Sequence, residues 1–365
     1  MCSAHREFEG NIEGKSRRGD PVDRVSIKDV ATRAGVSVGT VSNVLNHPGI
    51  VTDKTRQRVN DSIRDLKFVR NESARQLRAG RSRTIGLVVL DVTNPFFTDI
   101  ARGVEDAANN ADVALILCNS DGAPEKEHRY LTMLAEQRVL GVLIVPLLGG
   151  DQPFPEVVDR SIPLVVVDVK ARKNDRCSVS VDDVEGGFLA TSHLIRQGHR
   201  KIAFVGGSGR PLQVESRFKG ARKAIAQGSP GLQLIPITVD EMSVAGGRSA
   251  GDKILALPGR QRPTAAFCSN DLLALGLLQT LTDVGAKVPE DLAIVGYDDI
   301  EFAGAATVPL SSVRQPSHKL GYEAARLLLD EAASDDHKHQ HVVYSPELIV
   351  RRSSDLSWVR RPNKF

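Results

Sequence analysis

Apolar residues recur along this chain in two rhythms. Near the amino-terminal end, residues 26 to 46, SIKDVATRAGVSVGTVSNVLN, place Ile27, Val30, Ala31 and Ala34 on one face of a helix that Ser26 and Asp29 start in the manner of a capping box. Gly35 can take the left-handed conformation that ends it, and Val36 plugs the corner. Ser37 is placed to cap a second helix carrying Val38, Gly39, Thr40, Ser42 and Asn43. Thr52 then caps a third, TDKTRQRVNDSIRDLKFV, whose Val59, Ile63 and Leu66 form the stripe needed to close a small three-helix core. Two short helices across a tight turn are helix-turn-helix grammar, sized for the major groove of DNA.

From Thr84 the rhythm changes. The runs TIGLVVLD, VALILCNSD, GVLIVPLL, IPLVVVDVK, KIAFVGGSG, LQLIPITVD, TAAFCSND and LAIVGYDD alternate with helical patterns, as parallel strands crossed over by helices do. Nearly continuous apolar strands require sheets covered on both faces. Eight runs exceed what one small sheet needs, and the chain divides into similar halves near Val181. The pattern predicts an α/β protein: an all-α helix-turn-helix headpiece, then two doubly wound parallel-sheet lobes with a cleft between them.

Charge adds a partner to this plan. The 365 residues carry 48 Lys and Arg against 45 Asp and Glu, yet residues 24 to 83 carry 13 against 5. Basic charge is concentrated where duplex DNA would lie. In the same region NESARQLRAGRSR offers Asn71 as a cap and Gly80 as a stop. Residues 72 to 79 are too few to hold a helix alone in water, because nucleation outweighs so short a propagation. A helix there must fold against something, and DNA is the candidate.

The remaining composition excludes more than it suggests. Hydrophobic residues at 41 % and charged residues at 25 % describe an ordinary soluble globular protein, and no apolar run is long enough to span a membrane. The polar residues 1 to 23 lack a secretory core and read as a mobile tail, so the chain is expected in the cytoplasm. Cys2, Cys118, Cys177 and Cys268 show no disulfide framework or paired metal spacing, and Cys118 and Cys268 are expected to be buried thiols. His337, His339 and His341 alternate in a charged segment and read as a solvated loop, since no carboxylate or cysteine joins them at ligand spacing. No metal and no cofactor is expected. An enzyme is disfavoured: dinucleotide and phosphate-loop glycine patterns are missing, and Ser208 with His199 lacks a nucleophile elbow. A transport-type solute-binding protein, which shares the two-lobed core, is disfavoured by the headpiece and the polar start.

In open α/β sheets ligands lie beyond the carboxyl ends of strands. Asp91, Asn94, Phe96 and Phe97 follow the first run, Asp168 the fourth, Asn270 and Asp271 the seventh, and Tyr297 with Asp298 the eighth. Arg217, in ESRFKG at a helix start, can reach the same cleft. Carboxylates, amides and a guanidinium can serve neighbouring hydroxyls while an aromatic ring covers an apolar face, which suits a sugar or related polyol. The competing role is helix capping, which bears most on Asp183 and Asp271, and Phe96 and Phe97 can instead pack between lobes.

The order of helix-turn-helix, third helix, ARQLRAG segment and two-lobed core resembles the lactose-repressor/galactose-repressor (LacI/GalR) family of bacterial transcription regulators, from about Val25 to Val359. DVATRAGVSVGTVSNVLN, VTDKTRQRV, NESARQL, DVTNPFF, RFKG, SNDLLALG and VGYDD carry the resemblance. It implies a periplasmic-binding-protein-like core and a homodimeric repressor on near-palindromic operator DNA, without enzymatic activity. With Ser37 as cap, Val38, Gly39 and Asn43 would face base edges, while Thr40, Ser42, Asn46 and Thr55 suit phosphates. Asn43 stands where several relatives carry Arg or His, which shifts preference toward adenine. Residues 72 to 83 would form a hinge helix in the minor groove, Leu77 wedged between base pairs and Arg78 neutralising phosphate. The implied plan is a headpiece over 24 to 71, a first lobe from 84 to 181 and 316 to 342, and a second from 182 to 315 and 343 to 359. Crossings would fall near Val181, Arg314 to Pro316 and Val342 to Tyr344. A small-molecule effector between the lobes would decide whether two hinges can meet. SSDLSWVRRPNKF carries no leucine heptad, so a dimer is expected rather than a tetramer.

Overall fold

A computed structural model describes residues 25–68, 82–207, 211–334 and 336–357. The expected tail and the hinge with Leu77 and Arg78 lie outside the described residues, as does Ser208. The chain divides into two compact units between Gly80 and Arg81.

In the first unit, helix α1 (Ile27–Ala34) starts where the Ser26 backbone N–H donates to the Asp29 carboxylate at 2.7 Å, and it ends at Gly35 with φ 62°. Ser37 Oγ accepts from the Thr40 backbone N–H at 3.1 Å and starts α2 (Val38–Asn46). Helix α3 (Asp53–Asp65) follows Thr52. Val30, Val41 and Val59 are fully buried at the centre, with Ile27, Val36, Ile63 and Leu66 packed around them. Each such side chain contributes about 1.5–3 kcal/mol on burial, which is what lets so small a unit hold a defined turn.

The second unit contains two six-stranded sheets. One is built from β1 (Thr84–Val89), β2 (Ala114–Asn119), β3 (Gly141–Ile144), β4 (Leu164–Val167), β5 (Cys177–Val181) and the late strand β11 (His341–Tyr344). Its order is β11-β5-β4-β3-β1-β2, parallel throughout. Ile85, Leu87 and Val89 pack with Ile100 and Val104 of α4 (Pro95–Asn110) and Leu320 and Leu328 of α12 (Ser317–Ala333). Val88 packs instead with Leu131 and Leu134 of α5 (Pro124–Glu136). Both faces are covered, which is why β1 reads as unbroken apolar sequence.

The other sheet holds β6 (Lys201–Gly207), β7 (Gln233–Val239), β8 (Ala265–Cys268), β9 (Ala293–Asp298), β10 (Ser311–Arg314) and β12 (Glu347–Ile349). Its order is β12-β10-β9-β8-β6-β7, parallel except where β12 runs against β10. Its helices are α7 (Asp183–Arg196), α8 (Leu212–Gln227), α9 (Val244–Ala256), α10 (Asp271–Asp283) and the short α11 (Glu301–Ala305); α6 (Pro155–Val158) belongs to the first lobe. The sheets are joined after Val181, after Arg314 and after Tyr344. The last junction falls two residues beyond the expected 342/343 boundary, because Val343 and Tyr344 still pair with Ser180 and Val181 of β5. No helix among the described residues is long and apolar enough to cross a membrane.

That β11–β5 pairing also corrects the reading of the histidine segment. His337 Nε2 lies 3.1 Å from Cys177 Sγ and His339 Nδ1 3.9 Å from it, with Glu331 beside them. Cys177 is about 160 residues away in sequence, so spacing alone hid it, while Glu331, six residues before His337, lies on the preceding helix. His341 turns elsewhere, to Ser178 Oγ at 2.8 Å and Asn174 Oδ1 at 3.1 Å.

Candidate functional site

Helix α2 divides cleanly by burial. Val41 and Val44 enter the core, while Val38, Gly39, Asn43 and Asn46 are exposed and Thr40 and Ser42 half-buried. Ser37 Oγ also lies 2.9 Å from Thr40 Oγ1, and Asn46 Nδ2 donates to Ser42 Oγ at 3.2 Å. Thr55 Oγ1 accepts from Thr52 at 3.0 Å on the start of α3. An exposed helix face of Val38, Gly39 and short polar groups, free of long side chains, has the width and chemistry to enter a major groove.

In the second unit the expected strand-end residues fall into two sets. Asp168, Arg217, Tyr297 and Asp298 are brought together, with Asn94 joining them from the first lobe. Arg217 is 5 % exposed; its Nε donates to Asp183 Oδ1 at 2.7 Å, one Nη donates to the Ser269 carbonyl at 2.7 Å, and that Nη lies 3.8 Å from Asp298 Oδ1. The guanidinium stacks on the Tyr297 ring at 3.7 Å, so charge and flat apolar surface are both matched. Asn94 caps α4 by accepting from the Phe96 N–H at 3.1 Å and donates across the lobes to Asp298 Oδ2 at 3.3 Å. A second bridge runs from Gln213 Nε2 of α8 to Asp168 Oδ2 at 2.9 Å. Phe96 and Phe97 are buried beside each other, ring centroids 5.1 Å apart.

The second set makes hydrogen bonds within its own lobe. Asn270 caps α10 by accepting from the Leu273 N–H at 2.9 Å and donates to the Met242 carbonyl at 3.0 Å, so both ends of its amide are engaged. Asp271 accepts from Ser312 Oγ at 2.7 Å and from the Ile300 N–H at 2.9 Å. Asp91 accepts from the Thr93 N–H at 2.8 Å and closes a local turn. Capping of α7 falls to Asp182, whose Oδ1 accepts from the Glu185 N–H at 2.9 Å, which frees Asp183 for Arg217.

Two members were not singled out from sequence. Gln213 precedes Arg217 by one helical turn, and that spacing on an identified helix is the signal that would have found it. Gln315, at a lobe junction, donates to Asp298 Oδ1 at 2.8 Å. Gln213 and Gln315 turn their nitrogens toward Asp168 and Asp298, which leaves their oxygens outward as acceptors. Gln213 Oε1, Gln315 Oε1 and Asp168 Oδ1 are buried without a hydrogen-bonding partner.

Electrostatics and backbone mark the same residues. Burial raises Asp168 well above the usual carboxylate range, reinforced by Asp183 and opposed by Arg217. Burial likewise raises Asp183 against the pull of Arg217, and pushes Asp298 up to about 6 against Arg217, Asn94 and Gln315. Burial works against the Arg217 charge, but Asp183 and the neighbouring acids overcome it and hold the guanidinium above its ordinary value. Asp168 and Asp298 also have φ of 65° and 105°, conformations that L side chains adopt at a cost of about 1–3 kcal/mol. Strain and buried charge at opposing strand ends are features of a site more than of a scaffold.

Comparison with known proteins agrees with the two-part fold. Residues 26–71 match the family model of bacterial regulatory proteins of the lacI family, and residues 191–354 match a periplasmic binding protein-like domain. The HTH-type transcriptional repressor PurR of Photobacterium profundum is 34 % identical over 330 residues, covering 90 % of this chain and 98 % of the relative. A LacI family transcriptional regulator from Enterococcus faecium with bound ribose is 31 % identical with a TM-score of 0.67, over 74 % of this chain and 98 % of that one. The lac repressor dimer bound to operator and the anti-inducer ONPF is 26 % identical with a TM-score of 0.76, over 90 % and 99 %. A headpiece with an open helix face, two parallel-sheet lobes and these matches along nearly the whole length lead to one conclusion: the chain belongs to the LacI family, as a DNA-binding transcriptional repressor.

Proposed function

We propose that this repressor is controlled by a neutral, hydroxyl-rich molecule, a sugar or related polyol, held between the lobes by Asp168, Gln213, Arg217, Gln315 and Asp298, with Asn94, Phe96, Phe97 and Tyr297 around them. The observation that carries this reading is the chemistry of the partnerless atoms. Gln213 Oε1 and Gln315 Oε1 accept only, whereas Asp168 Oδ1 accepts when ionised and donates when protonated. A hydroxyl matches either state because it does both. An anionic ligand is disfavoured: one guanidinium faces Asp183, Asp298 and Asp168, which leaves no positive surplus for a phosphate or a carboxylate. The ribose carried by the Enterococcus faecium regulator supports the class.

On the DNA side, Val38, Gly39 and Asn43 read base edges, while Ser37, Thr40, Ser42, Asn46 and Thr55 set register on phosphates. Two copies of the chain bind a near-palindromic operator, and the segment containing Leu77 and Arg78 folds in the minor groove. Ligand closing the lobes shifts that folding equilibrium, and the molecule is released unchanged.

Calorimetry on the intact protein tests the ligand class, using neutral pentoses, hexoses and polyols against their phosphorylated forms and against purine bases. Binding of a neutral sugar that also changes operator affinity is the expected result. Binding confined to phosphorylated sugars or to purines would overturn it.

A further inference from the structure

We propose that Cys177, Glu331, His337 and His339 form a binding site in the first lobe for a zinc-like divalent cation. The four come from three places in the fold: Cys177 from β5, Glu331 from the last turn of α12, and the histidines from the segment leading into β11. Each offers one ligand atom, and these atoms all lie within 4.8 Å of one another. The distances from Sγ to His337 Nε2 (3.1 Å) and His339 Nδ1 (3.9 Å), and from His339 Nδ1 to Glu331 Oε2 (3.9 Å), straddle the roughly 3.5 Å between ligands of tetrahedral zinc.

The donor set selects the ion. One thiol, two imidazoles and one carboxylate suit zinc, cobalt or nickel, and the sulfur and nitrogens disfavour magnesium and calcium. Glu331 Oε2 is buried without a hydrogen-bonding partner, an arrangement that costs free energy unless something positive compensates it. Cys177 is fully buried, and its sulfur accepts from the Gln340 backbone N–H at 3.3 Å, the kind of outer contact that steadies a metal-bound thiolate. Both imidazoles lie on this sulfur, whereas histidines of a solvated loop have no reason to converge on a buried thiol. On binding, Cys177 loses its thiol proton to solvent and the thiolate bonds the cation, with no change of oxidation state. The ion would tie the end of α12 to β5 one strand from the final lobe junction.

Titration of the intact protein with cobalt(II), followed by optical absorption, tests the site. Binding of about one equivalent per chain should give the visible bands of a tetrahedral centre and a near-ultraviolet thiolate-to-cobalt transition, both erased by zinc. C177S should remove the thiolate transition, and H337Q and H339Q, on half-exposed side chains, should each weaken binding at least about tenfold without loss of fold. An octahedral spectrum without sulfur, a thiolate transition that survives in C177S, or affinity unchanged in both histidine variants would overturn the assignment.

Discussion

Asp298 bears both kinds of cost in this molecule, a buried carboxyl and a φ of 105°, and the resulting pH dependence has opposite signs for folding and for ligand binding. Its pKa is raised from 3.8 to about 6, so the folded state holds the proton more tightly than the unfolded one. Its contribution to stability is therefore full below about pH 4 and is lost as pH rises through about 6. Arg217 and the amide donors of Asn94 and Gln315 favour the ionised form, so protonation loosens the cluster that would hold the ligand, and sugar affinity should be full above about pH 6 and fall below it. Calorimetry across that range, repeated with D298N, measures the slope; the same slope in the variant would assign it to another group. On the DNA side, Gly39 is exposed on α2 and an added Cβ would meet only Ser37 Oγ, at 3.6 Å. G39A should stabilise the headpiece by up to about 1 kcal/mol through helix propensity. It should also change the ranking of operators that differ at the facing base pair, because a methyl group reads the thymine methyl. Thermal melts and competition gel shifts check the two halves, and an unchanged ranking would remove position 39 from base readout.

Helices α7 and α8 meet through Gly187 and Gly220, close enough that a Cβ on Gly187 would collide with the Arg217 carbonyl oxygen and one on Gly220 with that of Val184. This approach is what lets Asp183 at the start of α7 reach Arg217 on α8. G187A should therefore push α8 outward, destabilise the protein by about 1–3 kcal/mol, and weaken sugar binding without touching the ligand. Scanning calorimetry and isothermal titration measure both, and a lower melting temperature with intact affinity would separate packing from site. Legibility from sequence ran along the same line between apolar pattern and distant polar partner. The apolar runs became β1 to β4 and β6 to β9, but CSVSV and SSVR, which are β5 and β10, bury serines instead. Ser178 is satisfied by His341 and Ser312 by Asp271, partners that no local periodicity can announce. For the same reason Arg217 and Asp298 stood out as charges at element ends, while Gln213 and Gln315 acquired meaning only once the lobes set them against Asp168 and Asp298. A strand-end amide that caps a helix, as Asn270 does, looks in sequence the same as one that meets a ligand.

The headpiece core and the lobe cores share no cluster, and the chain divides between Gly80 and Arg81, so DNA reading and ligand sensing are built as separate folding units. A switch joining them can act only through a difference in free energy between DNA-bound and free states, and linkage makes that difference reciprocal. If ligand changes operator affinity by a given factor, saturating operator must change ligand affinity by the same factor, in the range of about 5- to 150-fold that couplings of 1–3 kcal/mol produce. The fragment from Arg81 onward keeps both sheets and every residue of the interlobe cluster, so it should bind sugar with the affinity of the DNA-free intact protein. Adding operator should leave the fragment's affinity unmoved. Calorimetry of the intact chain with and without operator, set beside gel shifts with and without sugar, yields the two factors independently. Matching factors, with a fragment indifferent to DNA, place the coupling in the joining segment and not in any contact between DNA and the lobes. An operator effect on the fragment would mean that the lobes themselves touch DNA, and coupling through a folding hinge would have to be abandoned.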